Sequence, residues 1–177
     1  MARSRILEKY NHRKLGWLHD FRFFIAAIVV LFIVFRFVVG FSFIDGESMD
    51  PTLKDGELAL YNRLATSYKT GDIVSMRVPS GEYYVKRVIA TGGDTVSLRD
   101  GAVFVNGKKL EEKWAVGVTW PESIAVNYPY TVRKGNVFVL GDNREHSLDS
   151  RHFGEVNKRQ IKGRLVFHMG RWYIKML

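Results

Sequence analysis

The chain has 177 residues, no cysteine, a formal net charge of +9 and 46% hydrophobic residues, with 14% aromatic. That length accommodates one folded core with a short appendage rather than two independent cores, and the lack of cysteine excludes disulfides and zinc–thiolate sites. The positive charge forms no nucleic-acid-binding face. Residues 1–20 hold five basic side chains against Glu8 and Asp20, and beyond Arg22 and Arg36 basic and acidic residues interleave, so anionic lipid suffices as the partner of the N-terminal charges and no nucleic acid is expected.

From Phe23 to Phe35 the chain is unbroken apolar, and past Arg36 it continues apolar to Ile44. A membrane-spanning helix needs about 20 such residues, and residues 18–38 supply one. Arg22 and Arg36 then fall near opposite ends, where an arginine can extend to the headgroups. Residues 1–17 become a cytoplasmic basic tail and residues 39–177 an extracytoplasmic domain, a single-pass plasma-membrane topology. A cleaved secretory signal is the competing reading. The run exceeds the usual apolar core of about 7–15 residues, and no small-x-small site closely follows it.

Beyond the span the pattern changes to short runs of β character at residues 57–61, 72–78, 83–89, 95–98, 102–105, 136–140 and 164–168. Asp55-Gly56, Asp100-Gly101 and Asn106-Gly107 separate several of them, and the last two pairs bracket a hairpin strand. The outer domain is therefore expected to be mostly β, an antiparallel sheet, with a smaller β/loop region inserted at about 95–134. Within it, residues 111–134 carry Trp114, Trp120, Pro121 and Pro129 without a clean period and read as an excursion from the sheet.

Three places carry candidate chemistry. Ser48 lies in Gly46-Glu47-Ser48-Met49-Asp50-Pro51-Thr52-Leu53, just after the apolar run, and needs a base to act as a nucleophile. Lys86 lies in a β-forming, partly apolar stretch, where desolvation would favour a neutral amine able to accept the serine proton; an edge-strand lysine with a solvated tip is the plain alternative. The polar stretch from Gly141 to Arg151 follows the apolar strand at 136–140 and places Asp142, Arg144, His146, Ser147, Asp149, Arg151 and His152 close in sequence. A Ser-His-Asp arrangement using His146 or His152 is open on residue types, as is a metal held by His146, Asp149 and His152.

Taken together, Gly-Glu-Ser-Met-Asp-Pro-Thr-Leu around Ser48, Lys-Arg-Val-Ile-Ala-Thr-Gly-Gly-Asp from Lys86, and Gly-Asp-Asn-Arg-x-x-Ser-x-Asp-Ser-Arg from Gly141 resemble the bacterial type I signal peptidases, in the family's order and after an N-terminal anchor. Gly71-Asp72-Ile73-Val74 matches a further structural box, so the resemblance covers about residues 15–170. It implies a serine-lysine protease with a signal-peptidase/repressor-protease-like β fold, which removes signal peptides from exported preproteins after small residues. It also implies membrane lipid as a partner, proximity to the export translocon, and no cofactor or metal.

Residue by residue, the resemblance makes Ser48 the acylated nucleophile and Lys86 the general base. Ser147 would hydrogen-bond the Lys86 amine, and Asp149 with Arg151 and Asp142 with Arg144 would form supporting ion pairs. The Ser48 N–H would donate to the oxyanion. Gram-negative members add a serine hydroxyl two residues before the nucleophile, where this chain has Gly46. Substrate pockets would involve Ile44, Tyr84 and Val85, although Ile44 and Val85 serve equally as core residues. Trp114 and Trp120 fit either a lipid interface or a satellite core. Two other functions remain readable: a self-cleaving repressor-type protease, which has no use for the anchor, and a membrane-tethered β module that binds exported peptides without cutting them, which has no use for Ser48 and Lys86.

Overall fold

The computed structural model describes residues 21–78, 81–170 and 173–177, so the basic tail and the start of the expected span lie outside the described residues. The chain divides into two compact units at residues 1–38 and 39–177. In the first, helix α1 (residues 21–33) continues into a π-helical turn at Val34–Val38. The segment Phe21–Val38 is long and apolar enough to cross a membrane, and none of it is buried.

The second unit is built from two antiparallel sheets. Its strands are β1 (Val39–Phe43), β2 (Leu58–Asn62), β3 (Ile73–Arg77), β4 (Tyr83–Thr91), β5 (Thr95–Arg99), β6 (Ala102–Val105), β7 (Lys108–Lys109), β8 (Tyr130–Thr131), β9 (Asn136–Leu140), β10 (Val156–Asn157), β11 (Ile161–Gly170) and β12 (Tyr173–Met176). The larger sheet runs β1-β2-β11-β3-β4-β9-β10, with β12 also paired to β11, and the smaller runs β7-β6-β5-β8. A four-residue helix, α2 (Ser150–Phe153), follows β9.

The hairpin signals act as their residues dictate. Asp100 and Gly101, then Asn106 and Gly107, all adopt positive φ (50°, 70°, 52° and 79°), the backbone of two-residue turns whose twist matches the strands they join. Strand β1 adds to the sequence reading, which ended the span at residue 38 and gave Val39–Phe43 to the outer domain without assigning a strand there. Pairing with β2, from Val39 opposite Asn62 to Phe43 opposite Leu58, makes it an edge strand. An apolar run carries no local mark of where a helix gives way to a strand, so the partner strand decides.

Three clusters form the core. Ile89, Ala90, Phe138 and Leu140 of the large sheet pack on Val96, Leu98 and Val103 of the small one. Val74, Met76, Val88, Val137 and Val139 form the second. The third joins Ile44, Met49 and Leu53 to Ala59, Tyr61, Ile73 and Leu165. Met49 and Leu53, 1% and 0% exposed, anchor both ends of the turn that carries the candidate nucleophile. Ile44 is thus a core residue, although it also borders the cavity described below.

Candidate active site

Ser48 stands in the connection between β1 and β2. The Asp50 N–H donates to the Glu47 carbonyl and the Leu53 N–H to the Met49 carbonyl, which curls this turn on itself, while the Asn143 N–H donates to the Ser48 carbonyl at 3.1 Å and ties it to the loop after β9. Lys86 is on β4, opposite Val74 of β3, and is 4% exposed. Its Nζ lies 2.6 Å from Ser48 Oγ. The Tyr84 ring, two residues earlier on the same face of the strand, has its centroid 5.4 Å from Nζ.

Burial lowers the Lys86 pKa from 10.5 to about 8; Asp149 and Asp142 oppose the shift and Arg151 adds to it. The amine can therefore be neutral near physiological pH, as a general base must be. Proton transfer from Ser48 Oγ to Lys86 Nζ needs no intermediary at this separation. Among the described residues no backbone carbonyl accepts Ser48's own N–H, whereas the Gly46 N–H is taken by Asp55 Oδ1 at 2.8 Å. Gly46, at φ +85°, therefore supplies neither a hydroxyl nor a free N–H to an oxyanion.

The supporting residues are arranged differently from expectation in two respects. Asp142 does not pair with Arg144. Its carboxylate takes Arg87 in a two-pronged contact, Nε to Oδ1 at 2.8 Å and Nη2 to Oδ2 at 2.6 Å, and accepts Thr52 Oγ1 at 2.6 Å. Arg87 follows Lys86 but points to the other face of β4, as strand alternation requires. Arg144 finds its carboxylate in Glu112, at 2.6 and 3.1 Å, with Thr119 Oγ1 at 2.7 Å and the Gly141 carbonyl at 2.8 Å.

Ser147 is the second difference. Its hydroxyl is buried without a hydrogen-bond partner among the described residues, so the expected bond to Lys86 is not formed. Ser147 instead sits against Gly141: a Cβ on Gly141 would fall 2.2 Å from Ser147 Oγ and 2.5 Å from the Ser48 carbonyl oxygen. Asp149 Oδ1 accepts Arg151 Nε at 2.9 Å, and its Oδ2 accepts the Gly141 N–H at 3.0 Å. Both Asp149 oxygens are thus engaged by Arg151 and Gly141, and no group of three or more His, Asp or Glu residues placed to hold a metal occurs among the described residues.

Thr52, Arg87, Glu112 and Glu122 hold the residues around the pair, and the sequence reading gave none of them a role. Thr52 and Arg87 lie inside the motifs and were legible there; the two glutamates stand in the patternless excursion and gave no local signal. The tryptophans part ways, Trp114 stacking on Arg87 at 4.6 Å and Trp120 staying 50% exposed.

A cavity of about 200 Å³ opens beside the pair, bordered by Phe43, Ile44, Tyr83, Tyr84, Val85 and Leu148 as well as by Ser48 and Lys86. Tyr84 and Val85, which the sequence reading gave to substrate pockets, border this cavity.

The chain is similar to known proteins over most of its length. The chain is 39% identical over 161 residues to signal peptidase IB of Staphylococcus aureus, covering 80% of this chain and 83% of that protein. It is 35% identical over 174 residues to signal peptidase I of Bacillus licheniformis, covering 90% and 92%. A crystal structure of a signal peptidase I from Enterococcus faecalis V583, 32% identical, matches 56% of this chain and 97% of that one at a TM-score of 0.49. The family described as signal peptidase, peptidase S26, matches residues 17–172. The chain belongs to the signal peptidase family, peptidase S26, and is an enzyme of that family.

Proposed function

We propose that this enzyme is a membrane-tethered endopeptidase that removes signal peptides from exported preproteins through an acyl-enzyme formed on Ser48, with Lys86 as general base. The observation that carries the reading is the 2.6 Å separation of Lys86 Nζ and Ser48 Oγ inside a buried setting. The neutral amine takes the Ser48 proton as Oγ attacks the scissile carbonyl. The Ser48 N–H donates to the resulting oxyanion, and the Lys86 ammonium then protonates the departing amine. A water deprotonated by Lys86 completes the cycle by attacking the acyl carbonyl.

Strand register supports how substrate would lie. β4 pairs with β3 along Tyr83–Arg87 but meets β9 only from Arg87 onward, so residues 83–86 keep one open edge that ends at the base. An extended peptide can add there as a strand, with alternate side chains entering the pocket. The cavity walled by Ile44, Tyr84 and Val85 lies beside that edge and would receive the side chains before the cut, which the family resemblance makes small.

Membrane contact has its own support. Register aligns Phe41, Leu60, Phe167 and Met176 in one cross-strand row, and Phe43, Leu58, Met169 and Ile174 in the next. Six of these eight are exposed, from Phe167 at 39% to Met176 at 72%, and β1 begins one residue after the apolar span ends. An exposed apolar sheet face of this kind fits lipid. The basic residues at 3–14 would hold the N-terminus in the cytoplasm.

The test is cleavage, in detergent, of a preprotein with alanine at the first and third positions before the cut. Ser48→Ala and Lys86→Ala should each lower turnover by about 10³-fold or more with the thermal transition retained. Wild-type-like turnover in either variant would remove the dyad.

A further inference from the structure

Three guanidinium groups are buried around the dyad: Arg87, Arg144 and Arg151, at 7%, 1% and 0% exposure. On one side each is held by groups of the 141–151 loop: Asp142 for Arg87, the Gly141 carbonyl for Arg144, and Asp149 for Arg151. On the other side each meets a residue of the 112–122 segment. The Trp114 ring lies 4.6 Å from the Arg87 guanidinium, Glu112 grips Arg144 with both oxygens, and Glu122 Oε1 accepts Arg151 Nη1 at 3.0 Å.

The motifs bring two carboxylates, Asp142 and Asp149, to three buried cations. Both are spent on Arg87 and Arg151, and Glu112 is the only carboxylate paired with Arg144 among the described residues. A buried cation that loses its sole anion is strongly destabilised where it stands, so the loop bearing Arg144 would have to move to relieve it.

The backbone gives that movement a direction. Val116 bridges Asn143 in parallel: the Val116 N–H donates to the Asp142 carbonyl at 2.9 Å and the Arg144 N–H donates to the Val116 carbonyl at 3.0 Å. The intervening Asn143 peptide is thereby fixed from both sides, and its N–H is the group that donates to the Ser48 carbonyl. From Glu112 to the nucleophile's own carbonyl the connection is one side chain, one loop and one hydrogen bond.

We infer that residues 112–122 form a clamp that positions Ser48 against Lys86, with Glu112 its principal positioning residue acting through Arg144 and Trp114 a second acting through Arg87. The inference rests on Ser48 and Lys86 being the reacting pair. Neither Glu112 nor Trp114 borders the substrate cavity, so their effect falls on the reaction step and not on binding.

The experiment uses the full chain in detergent with a preprotein substrate. Glu112→Gln should lower kcat by about tenfold or more while KM stays within about twofold, since small displacements of reacting groups cost this much. Arg144→Gln combined with Glu112→Gln should be no worse than the poorer single variant, because the two act as one unit. Trp114→Phe, which keeps a ring over Arg87, should retain most of the kcat that Trp114→Leu loses. A kcat for Glu112→Gln within twofold of wild type in folded protein, additive losses in the double variant, or a raised KM with unchanged kcat would overturn the inference. Should Glu112→Gln not fold, Thr119→Val and the two Trp114 variants decide it by the same kcat-against-KM reading. Failure of the dyad itself is separable, because it would appear as activity in Ser48→Ala.

Discussion

Lys86 Nζ lies 2.6 Å from Ser48 Oγ, although 38 positions separate the two residues in the chain. The contact is made by a strand and a turn that share no sheet pairing. Lys86 is fixed by the β3–β4 ladder, while Ser48 is fixed by the burial of Met49 and Leu53 and by the Asn143 N–H on its carbonyl. Each side is held independently, so the pair needs no substrate to assemble it.

Activity should follow the protonation of Lys86. As the proposed base, Lys86 would work as the neutral amine, and burial brings its pKa to about 8. With chemistry rate-limiting, kcat/KM should rise with pH, reach half its maximum near pH 8 and then level off. A profile flat from pH 6 to pH 10 would contradict the assignment of Lys86 as base.

The same shift carries a stability cost. Below about pH 8 the folded protein holds Lys86 protonated in a site that disfavours the charge; between about 8 and 10.5 the unfolded chain binds more protons than the folded one, so stability rises with pH there. Integrated over that interval the penalty is roughly 3 kcal/mol. Lys86→Met should therefore abolish cleavage yet raise the thermal transition at pH 7, with a smaller gain at pH 10. Calorimetry at both pH values checks this, and a lower transition at pH 7 would refute it.

Gly141→Ala should cost activity through crowding. The added methyl would fall 2.2 Å from Ser147 Oγ and 2.5 Å from the Ser48 carbonyl oxygen, both far inside contact distance. Either the nucleophile's turn or the Ser147 loop must yield, and a displacement approaching 1 Å costs on the order of 10²-fold in rate. Steady-state kinetics would show the loss, with a near-native circular dichroism spectrum separating it from unfolding.

The apolar rows across β1, β2, β11 and β12 can be tested cleanly because the chain has no cysteine. Single cysteines at Ile174 and Met176, 71% and 72% exposed, accept a nitroxide in proteoliposomes. Its accessibility to oxygen should be high and to polar relaxants low, as for a label among acyl chains. A label at Lys108, exposed on the smaller sheet, should show the reverse. Equal water-like accessibility at all three would exclude lipid contact by this face.

Much of the molecule was legible before folding because local chemistry decided it. β2, β5 and the first half of β11 carry period-two burial, while the central β3, β4 and β9 are short apolar runs buried on both faces. The Asp-Gly and Asn-Gly turns need positive φ that few other pairs tolerate. Alone, Ser48 reads as a linker serine and Lys86 as an edge-strand lysine; these two and the 141–151 loop were legible through the resemblance of three motifs taken in order. The edge strand β1 was not, since an apolar run reads alike as helix or strand.

By itself, then, the sequence determined an apolar span of helical length, a β-rich body and the residues that could react, since these follow from composition, periodicity and side-chain chemistry. Tertiary structure alone decided partnership. Asp142 took Arg87 and not Arg144, because β4 turns Arg87 toward the loop after β9; Arg144 took Glu112 from a segment with no pattern of its own. Ion pairs are chosen by which charges the folded chain buries side by side, and sequence spacing carries no record of that distance.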